Sequence, residues 1–417
     1  MLKRLVYPLL VMLGSMLVFS PATAQRPDAP TYGQTGPYTV GTQELMLADE
    51  ARPLPVTIWY PTQADAETGT RVTYRDSLIS FEGNALADAP PASADGPYPL
   101  VIYSHGSMGY RFVSSFFTEH LASYGFVVLA PNHPGNTAVD SVTNPQSFVS
   151  NIGTNYAQRP LDVLRVLDFA EALTAPEGDL AGLIDMERVA VTGHSFGGYT
   201  TLSVAGAQLD LTPVQERCEG VEVNIEDFQP SFMMEEDDAE AEAEAFQQFS
   251  CLVTTQIEAI AEQRGLNAPP DGPFPSTSDP RIDAIITMAP SGGEVLTNLD
   301  AVDVPALTLV GSLDATTPPQ EDAYVLHAGL GSAPSVLVTF TGAGHYVFID
   351  ECIDLFIAFG AFGLCSDPVW DMQRVHDLTN HFSTAFLLWQ LQDDTAAENS
   401  LTDDTVDFRM VEFERAP

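Results

Sequence analysis

The stretch Val189-Ala190-Val191-Thr192-Gly193-His194-Ser195-Phe196-Gly197-Gly198 decides how this chain is read. A β-branched run reads as a buried strand, and a serine then stands with glycines two residues before and two after it. Small residues from Tyr199 to Ala205 follow and read as the start of a helix. This is the G-x-S-x-G nucleophile elbow. The turn is so tight that the serine takes a strained backbone conformation, and side chains at the flanking positions would collide. The same geometry lifts the hydroxyl above the sheet and points a helix N-terminus at whatever the serine attacks. Ser195 is read as a nucleophile, against the plainer reading of a tight structural turn.

A serine hydroxyl is a weak nucleophile at neutral pH and needs a base and a group to orient that base. On an elbow of this kind the acid and then the histidine follow the serine in the chain. Two later segments fit. Ala306–Gly311 is an apolar strand that delivers Asp314 just beyond its end, before Thr316-Thr317-Pro318-Pro319 forbid it to continue. Val336–Phe340 is a second strand, closing in Gly342-Ala343-Gly344-His345. Both residues are then expected on loops at strand carboxyl ends, the edge where open parallel sheets bind ligands. His345 is read as the base and Asp314 as its orienting acid. The rivals fit less well. His194 lies inside the elbow, where it is expected to pack or hydrogen-bond behind the serine, and His133 follows a strand that precedes the elbow. His120, His327, His376 and His381 fall in helix-like stretches, while Asp300 and Asp303 precede their strand rather than follow it.

Charge that develops on a carbonyl oxygen needs two backbone N–H groups to receive it. One is expected from Phe196, the residue after the nucleophile. The other is expected from the loop after the early strand Pro99–Ser104, which turns at His105-Gly106-Ser107-Met108-Gly109, and Ser107 is the residue chosen. The His-Gly pair also reads as a structural turn, and both readings can hold together.

Around this core the chain alternates strands and helices, which implies an α/β fold with a doubly wound, mostly parallel sheet. Tyr38–Leu47 and Pro55–Tyr60 read as an antiparallel pair at one sheet edge. Thr62–Tyr98 and Pro131–Asn155 read as long loops. After the elbow helix the alternation stops for an insertion of about 208–280. It contains the acidic run Glu235–Glu244 and a helical stretch Phe246–Gln263. Such a run reads as a solvated face or mobile segment and lacks the spacing of an EF-hand calcium loop. The final helix is expected over Trp370–Leu391, and Val406–Glu414 as a terminal strand or a loose tail.

The start, Met1-Leu2-Lys3-Arg4, an apolar run to Phe19 and Ala22-Thr23-Ala24, reads as a signal peptide over residues 1–24, leaving 25–417 as one domain. The expected location is periplasmic or extracellular. No cysteine follows the cleavage site, which argues against a lipid anchor, and no later run is apolar enough to span a bilayer. Leu355–Gly363 is apolar but short and broken by glycine, and suits a pocket or lid wall. Cys218, Cys251, Cys352 and Cys365 admit three disulfide pairings. Pairing 218 with 251 and 352 with 365 is the simplest, since each bond would close one insertion on itself. None has C-x-x-C spacing, so a zinc site is not indicated, and no cofactor is called for.

These residues resemble the α/β-hydrolase superfamily, and within it bacterial hydrolases labelled dienelactone-hydrolase-like and related to platelet-activating factor acetylhydrolases. The resemblance rests on Tyr103–Gly109, Leu121–Val128, Pro131–Thr137, Gly193–Tyr199 and Gly342–His345. Dienelactone hydrolases carry cysteine at the elbow, so the serine here argues against dienelactone as substrate. The leading expectation is a secreted carboxylic-ester hydrolase acting on a small-molecule ester, and the strong negative charge favours short, neutral esters. The resemblance also permits a phospholipid acyl hydrolase or a polyester hydrolase. A binding protein that kept the fold without catalysis is the non-enzymatic alternative.

The charge is extreme: −41 formally, from 57 acidic and 16 basic residues among 417. Lys3 is the only lysine, and it leaves with the leader. A chain this acidic excludes nucleic acid as a partner and disfavours anionic substrates. It reads either as adaptation to a saline setting or as a solubilising surface. Carboxylate repulsion is screened as the Debye length falls from about 30 Å at 0.01 M salt to about 3 Å at 1 M. The melting temperature is therefore expected to rise with sodium chloride. A transition that does not move between these concentrations would remove the saline reading.

Overall fold

The computed structural model describes residues 29–221, 251–353, 357–358 and 360–416. The leader and the acidic run Glu235–Glu244 lie outside the described residues, as do Leu355, Phe356 and Phe359 of the stretch Leu355–Gly363.

Thirteen strands are described: β1 Thr39–Leu47, β2 Leu54–Thr62, β3 Arg71–Arg75, β4 Ser80–Ala87, β5 Tyr98–Ser104, β6 Val127–Pro131, β7 Ile184–His194, β8 Gln208–Leu209, β9 Ala284–Met288, β10 Leu296–Thr297, β11 Ala306–Gly311, β12 Ser335–Phe340 and β13 Val411–Ala416. Eleven form one sheet in the order β13-β12-β11-β9-β7-β5-β6-β2-β1-β4-β3. The six from β12 to β6 run parallel. Antiparallel strands finish both ends, β13 against β12 and β2 against β6.

The central strands read as nearly continuous apolar runs because both faces are covered. Val101 and Tyr103 of β5 point into one core with Phe117 and Leu121 of helix α1 (Ser115–Ser123) and Phe382 and Phe386 of the helix Met372–Gln392. Leu100 and Ile102 point the other way, against Val163, Val166 and Leu167 and against Tyr199 and Leu202. Those residues follow two short helices, α2 Ala138–Thr143 and α3 Pro145–Ser150, and belong to α4 Ile152–Thr174 and α5 Phe196–Ala205.

The winding fixes where a ligand can sit. From β5 the chain passes through α1 to β6 on one side, then returns through α4 to β7 on the other side of β5. The strand order reverses between β5 and β7, and the crevice beyond their carboxyl ends is the topological switch point. His105–Gly109 and Ser195 lie there.

Two expected loops are in fact structured. Residues 62–98 contain β3 and β4, which place the β1–β2 pair inside the sheet rather than at its edge. The sequence hides them because β4, Ser80-Phe81-Glu82-Gly83-Asn84-Ala85-Leu86-Ala87, is poor in strand-forming residues. It is held by tertiary contacts instead: buried Glu119 of α1 accepts hydrogen bonds from the backbone N–H of Asn84 and Ala85 and from the Tyr74 hydroxyl. Residues 131–155 contain α2, α3 and the first turn of α4. Thr137 and Asp140 form a capping box on α2, and Asn144 caps α3 with Pro145 in its first turn. Val411–Ala416 is a strand, antiparallel to β12.

Within residues 208–280 the described parts include β8, the helix Thr212–Arg217, the 3-10 helix Val253–Gln256 and the helix Ile257–Gln263; the expected helical stretch is helical from residue 251 onward, and its first residues, 246–250, lie outside the described residues. Cys218 is bonded to Cys251, and Cys352 to Cys365. Among the described residues no helix is long and apolar enough to cross a membrane.

Candidate active site

Strand β7 ends at His194, and Ser195 stands between it and α5 with φ of 56° and ψ of −120°. A non-glycine residue holds that conformation only when its surroundings compel it. Here the compulsion is steric. A Cβ on Gly197 would lie 1.9 Å from the carbonyl oxygen of Ser104, and one on Gly193 would lie 2.2 Å from that of Gly197. Strand β5, the elbow and α5 can approach this closely only because both positions lack a side chain. The Ser195 N–H donates to the carbonyl of Met288 at the end of β9 (2.9 Å), and its carbonyl accepts from Ser291 (3.1 Å).

Asp314 and His345 come together from the ends of β11 and β12. Glycine again permits the approach, since a Cβ on Gly311 would lie 2.4 Å from the carbonyl oxygen of Ala343. Leu313 N–H donates to that carbonyl (2.9 Å), and Gly342 N–H donates to the Ser312 hydroxyl (2.8 Å), which stitches the two loops into one ledge. On it His345 Nδ1 and Asp314 Oδ2 are 2.7 Å apart, with both residues buried. Asp314 also accepts from the N–H groups of Thr316 (2.9 Å) and Thr317 (2.8 Å) and from the Thr317 hydroxyl (2.9 Å). Burial pushes its carboxyl up, but the hydrogen bond and charge of His345, with the Thr317 bonds, outweigh that and hold it below its ordinary value. An ionised Asp314 fixes the imidazole proton on Nδ1 and leaves Nε2 as an acceptor.

His194 packs against the same imidazole, with ring centres 4.6 Å apart, and its Nε2–H donates to the His345 carbonyl (3.0 Å). Burial, then the neighbouring His345, push His194 down to about 3, so it is neutral and supports the His345 backbone. The other rivals are occupied elsewhere. His120 bonds the Tyr32 carbonyl and His376 the Ile349 carbonyl, while His327 lies between Thr308 and Ser335. Asp300 and Asp303 are exposed.

The loop after β5 lies against the elbow: a Cβ on Gly106 would be 3.2 Å from the Ser195 Cβ. The Gly106 carbonyl accepts from His105 Nδ1 (2.7 Å) and from Gly109 N–H (3.1 Å). Carbonyl and N–H point opposite ways in a trans peptide, so the Ser107 N–H is turned away from His105. Asn136 secures the next residues. Its Nδ2 donates to the Ser107 hydroxyl (3.1 Å), and its carbonyl accepts from Met108 N–H (3.1 Å), at a residue with φ of 56°. Phe196 is the first residue of α5, with its ring against Tyr156 and Tyr199. Thr317 and Asn136 were not singled out for these supporting contacts in the sequence, whereas His194 was expected to pack or hydrogen-bond there and does both, against His345. Only the turn chemistry of Asn132-His133-Pro134-Gly135-Asn136-Thr137 and the Thr-Thr-Pro-Pro run marked the segments.

The chain is similar to several known proteins. Residues 71–153 match the family model described as platelet-activating factor acetylhydrolase, isoform II, and residues 113–211 match that of the prolyl oligopeptidase family. The chain is 28% identical over 219 residues to a platelet-activating factor acetylhydrolase of Cavia porcellus, covering 40% of this chain and 50% of that protein. It is 28% identical over 159 residues to chlorophyllase-1 of Citrus sinensis, covering 35% and 44%. The matches therefore span about half the length of these curated relatives. A ferulic acid esterase structure from Streptomyces cinnamoneus superposes with a TM-score of 0.55 over 90% of this chain and 96% of that one, at 20% identity. That likeness concerns the fold.

The steric account of the elbow can be checked without any assay of function. Gly197→Ala should lower stability to denaturant by about 3 kcal/mol, because backbone must move to admit the methyl group. Gly363→Ala, whose Cβ would meet nothing within 4 Å, should stay within about 0.5 kcal/mol of the parent. Equal effects at the two positions would contradict the account.

Proposed function

The chain is an α/β-hydrolase in fold and is similar in sequence to the platelet-activating factor acetylhydrolase group, and on that premise we propose that it hydrolyses carboxylic esters. Ser195 Oγ attacks the ester carbonyl while His345 Nε2 takes its proton. The oxyanion of the tetrahedral intermediate is received by the N–H groups of Phe196 and Ser107. Collapse expels the alcohol, which takes its proton from His345, and leaves an acyl group on Ser195. Water, deprotonated by the same imidazole, then releases the acid and restores the serine. Asp314 holds the imidazole in the acceptor tautomer throughout. The observation that carries this reading is the 2.7 Å His345–Asp314 contact on a ledge beside a serine held at positive φ.

An acetylhydrolase among the sequence relatives, and the match to the acetylhydrolase family model, support ester cleavage. The strongly acidic composition favours neutral, short esters over substrates with a free carboxylate. We further read residues 1–24 as an export leader, 25–417 as the hydrolase domain and 208–280 as an insertion within it. The two disulfides support an oxidising, extracytoplasmic location.

With p-nitrophenyl acetate as substrate, Ser195→Ala should abolish turnover while circular dichroism and melting remain those of the parent. Asp314→Asn should keep the fold but leave the imidazole in the wrong tautomer, lowering kcat by up to about 10⁴-fold. A folded Ser195→Ala protein that kept more than a few per cent of parental kcat would refute the assignment.

A further inference from the structure

Beneath the crevice lies a guanidinium that the reaction as written does not use. Arg159, in α4, is fully buried. Its Nη1 donates to Asn136 Oδ1, and its Nη2 donates to the His105 carbonyl and to Ser104 Oγ (3.2 Å). Its Nε donates to Thr200 Oγ1 (3.2 Å), and the guanidinium lies 4.7 Å from the centre of the Phe196 ring. Every one of these acceptors is neutral. Asp162, one turn further along α4, is engaged by Arg52 through two bonds of 2.8 Å and by His133 Nδ1 at 3.0 Å.

A buried cation without a carboxylate at its own donors is costly. Burial pulls Arg159 down to about 9, which still leaves it charged at neutral pH. The surrounding groups are wired for a charged Arg159. Its donation to Ser104 Oγ leaves that hydroxyl to donate to His133 Nε2 (2.9 Å), whose Nδ1–H then donates to Asp162. Burial and the cations Arg159 and Arg52 hold His133 well below its ordinary value, so the ring stays neutral in that tautomer.

The contacts fall on two separate pieces of backbone. His105 and, through Asn136, Ser107 and Met108 belong to the loop after β5. Thr200 and Phe196 belong to the first turns of the nucleophile helix. We propose that Arg159 is a positioning residue for the oxyanion site, its planar fork holding the loop that carries Ser107 and the helix that begins at Phe196 at one fixed separation. The proposal rests on the ester-hydrolase reading. Its chemical content is that two N–H donors from different elements stabilise a tetrahedral oxyanion only if their separation is fixed before reaction. A flat fork with five donors can bridge the elements, and an ammonium cannot.

The test uses the full chain, p-nitrophenyl acetate and a trifluoromethyl ketone, which forms a tetrahedral adduct on a nucleophilic serine. Arg159→Met should lower kcat on the order of 10²-fold, comparable to losing one oxyanion donor, with KM within about threefold of the parent. Inhibition by the ketone should weaken by the same factor as kcat. Arg159→Lys should remain at least about tenfold below the parent, because it restores charge but not the fork. Should Arg159→Met fail to fold, Asn136→Ala interrupts the link to Ser107 with a smaller change, and the same split between kcat and KM is expected. A folded Arg159→Met or Asn136→Ala protein with parental kcat and ketone affinity overturns the proposal. So does full rescue by Arg159→Lys, or a loss in which KM rises as much as kcat falls. A parental protein that hydrolyses no ester overturns the underlying reading and the proposal with it.

Discussion

The approach of β5, the elbow and α5 at Gly193 and Gly197 is the constraint on which the rest of the structure depends. No backbone separation that admitted a Cβ there would hold Ser195 at φ 56°. That contact sets the position of the Ser195 hydroxyl, the direction of α5 and the distance from the elbow to the loop after β5. The parallel sheet supplies the other parts at the same edge, since β5, β7, β11 and β12 all end there. Asp314, His345 and Ser107 thus need only short loops to reach it.

A second layer keeps those loops still. Thr316 and Thr317 hold Asp314, His194 holds the His345 carbonyl, and Asn136 holds Ser107 and Met108. Each contact gives a buried polar group a hydrogen-bond partner, which is how polar groups survive burial. Burial depresses His105, His133 and His194, so these rings stay neutral and serve as fixed dipoles around the site.

How much of this was legible in the sequence depended on the range of the forces involved. The elbow, the glycine-ended strand before Asp314 and the Gly-Ala-Gly turn before His345 are local signals, because each is a turn whose backbone demands particular residues. Strand β4 was illegible for the opposite reason: its residues are poor strand formers, and Glu119, far along the chain, supplies what its backbone needs. Helices α2 and α3 were masked by the prolines, glycines and asparagines that cap them, which read as loop when the helix between is only six residues long. Arg159 carried no signal of its role, since its partners come from three other segments that meet only in the folded protein.

The central claim is that this elbow presents one activated serine, and active-site-directed phosphonylation tests it most directly. Incubating the folded chain with a fluorophosphonate and sequencing the modified peptide by mass spectrometry should give a single stoichiometric adduct on Ser195. That adduct should disappear on prior unfolding, because the activating geometry goes with the fold. An adduct on a different serine, or equal labelling of native and unfolded chain, would contradict the account.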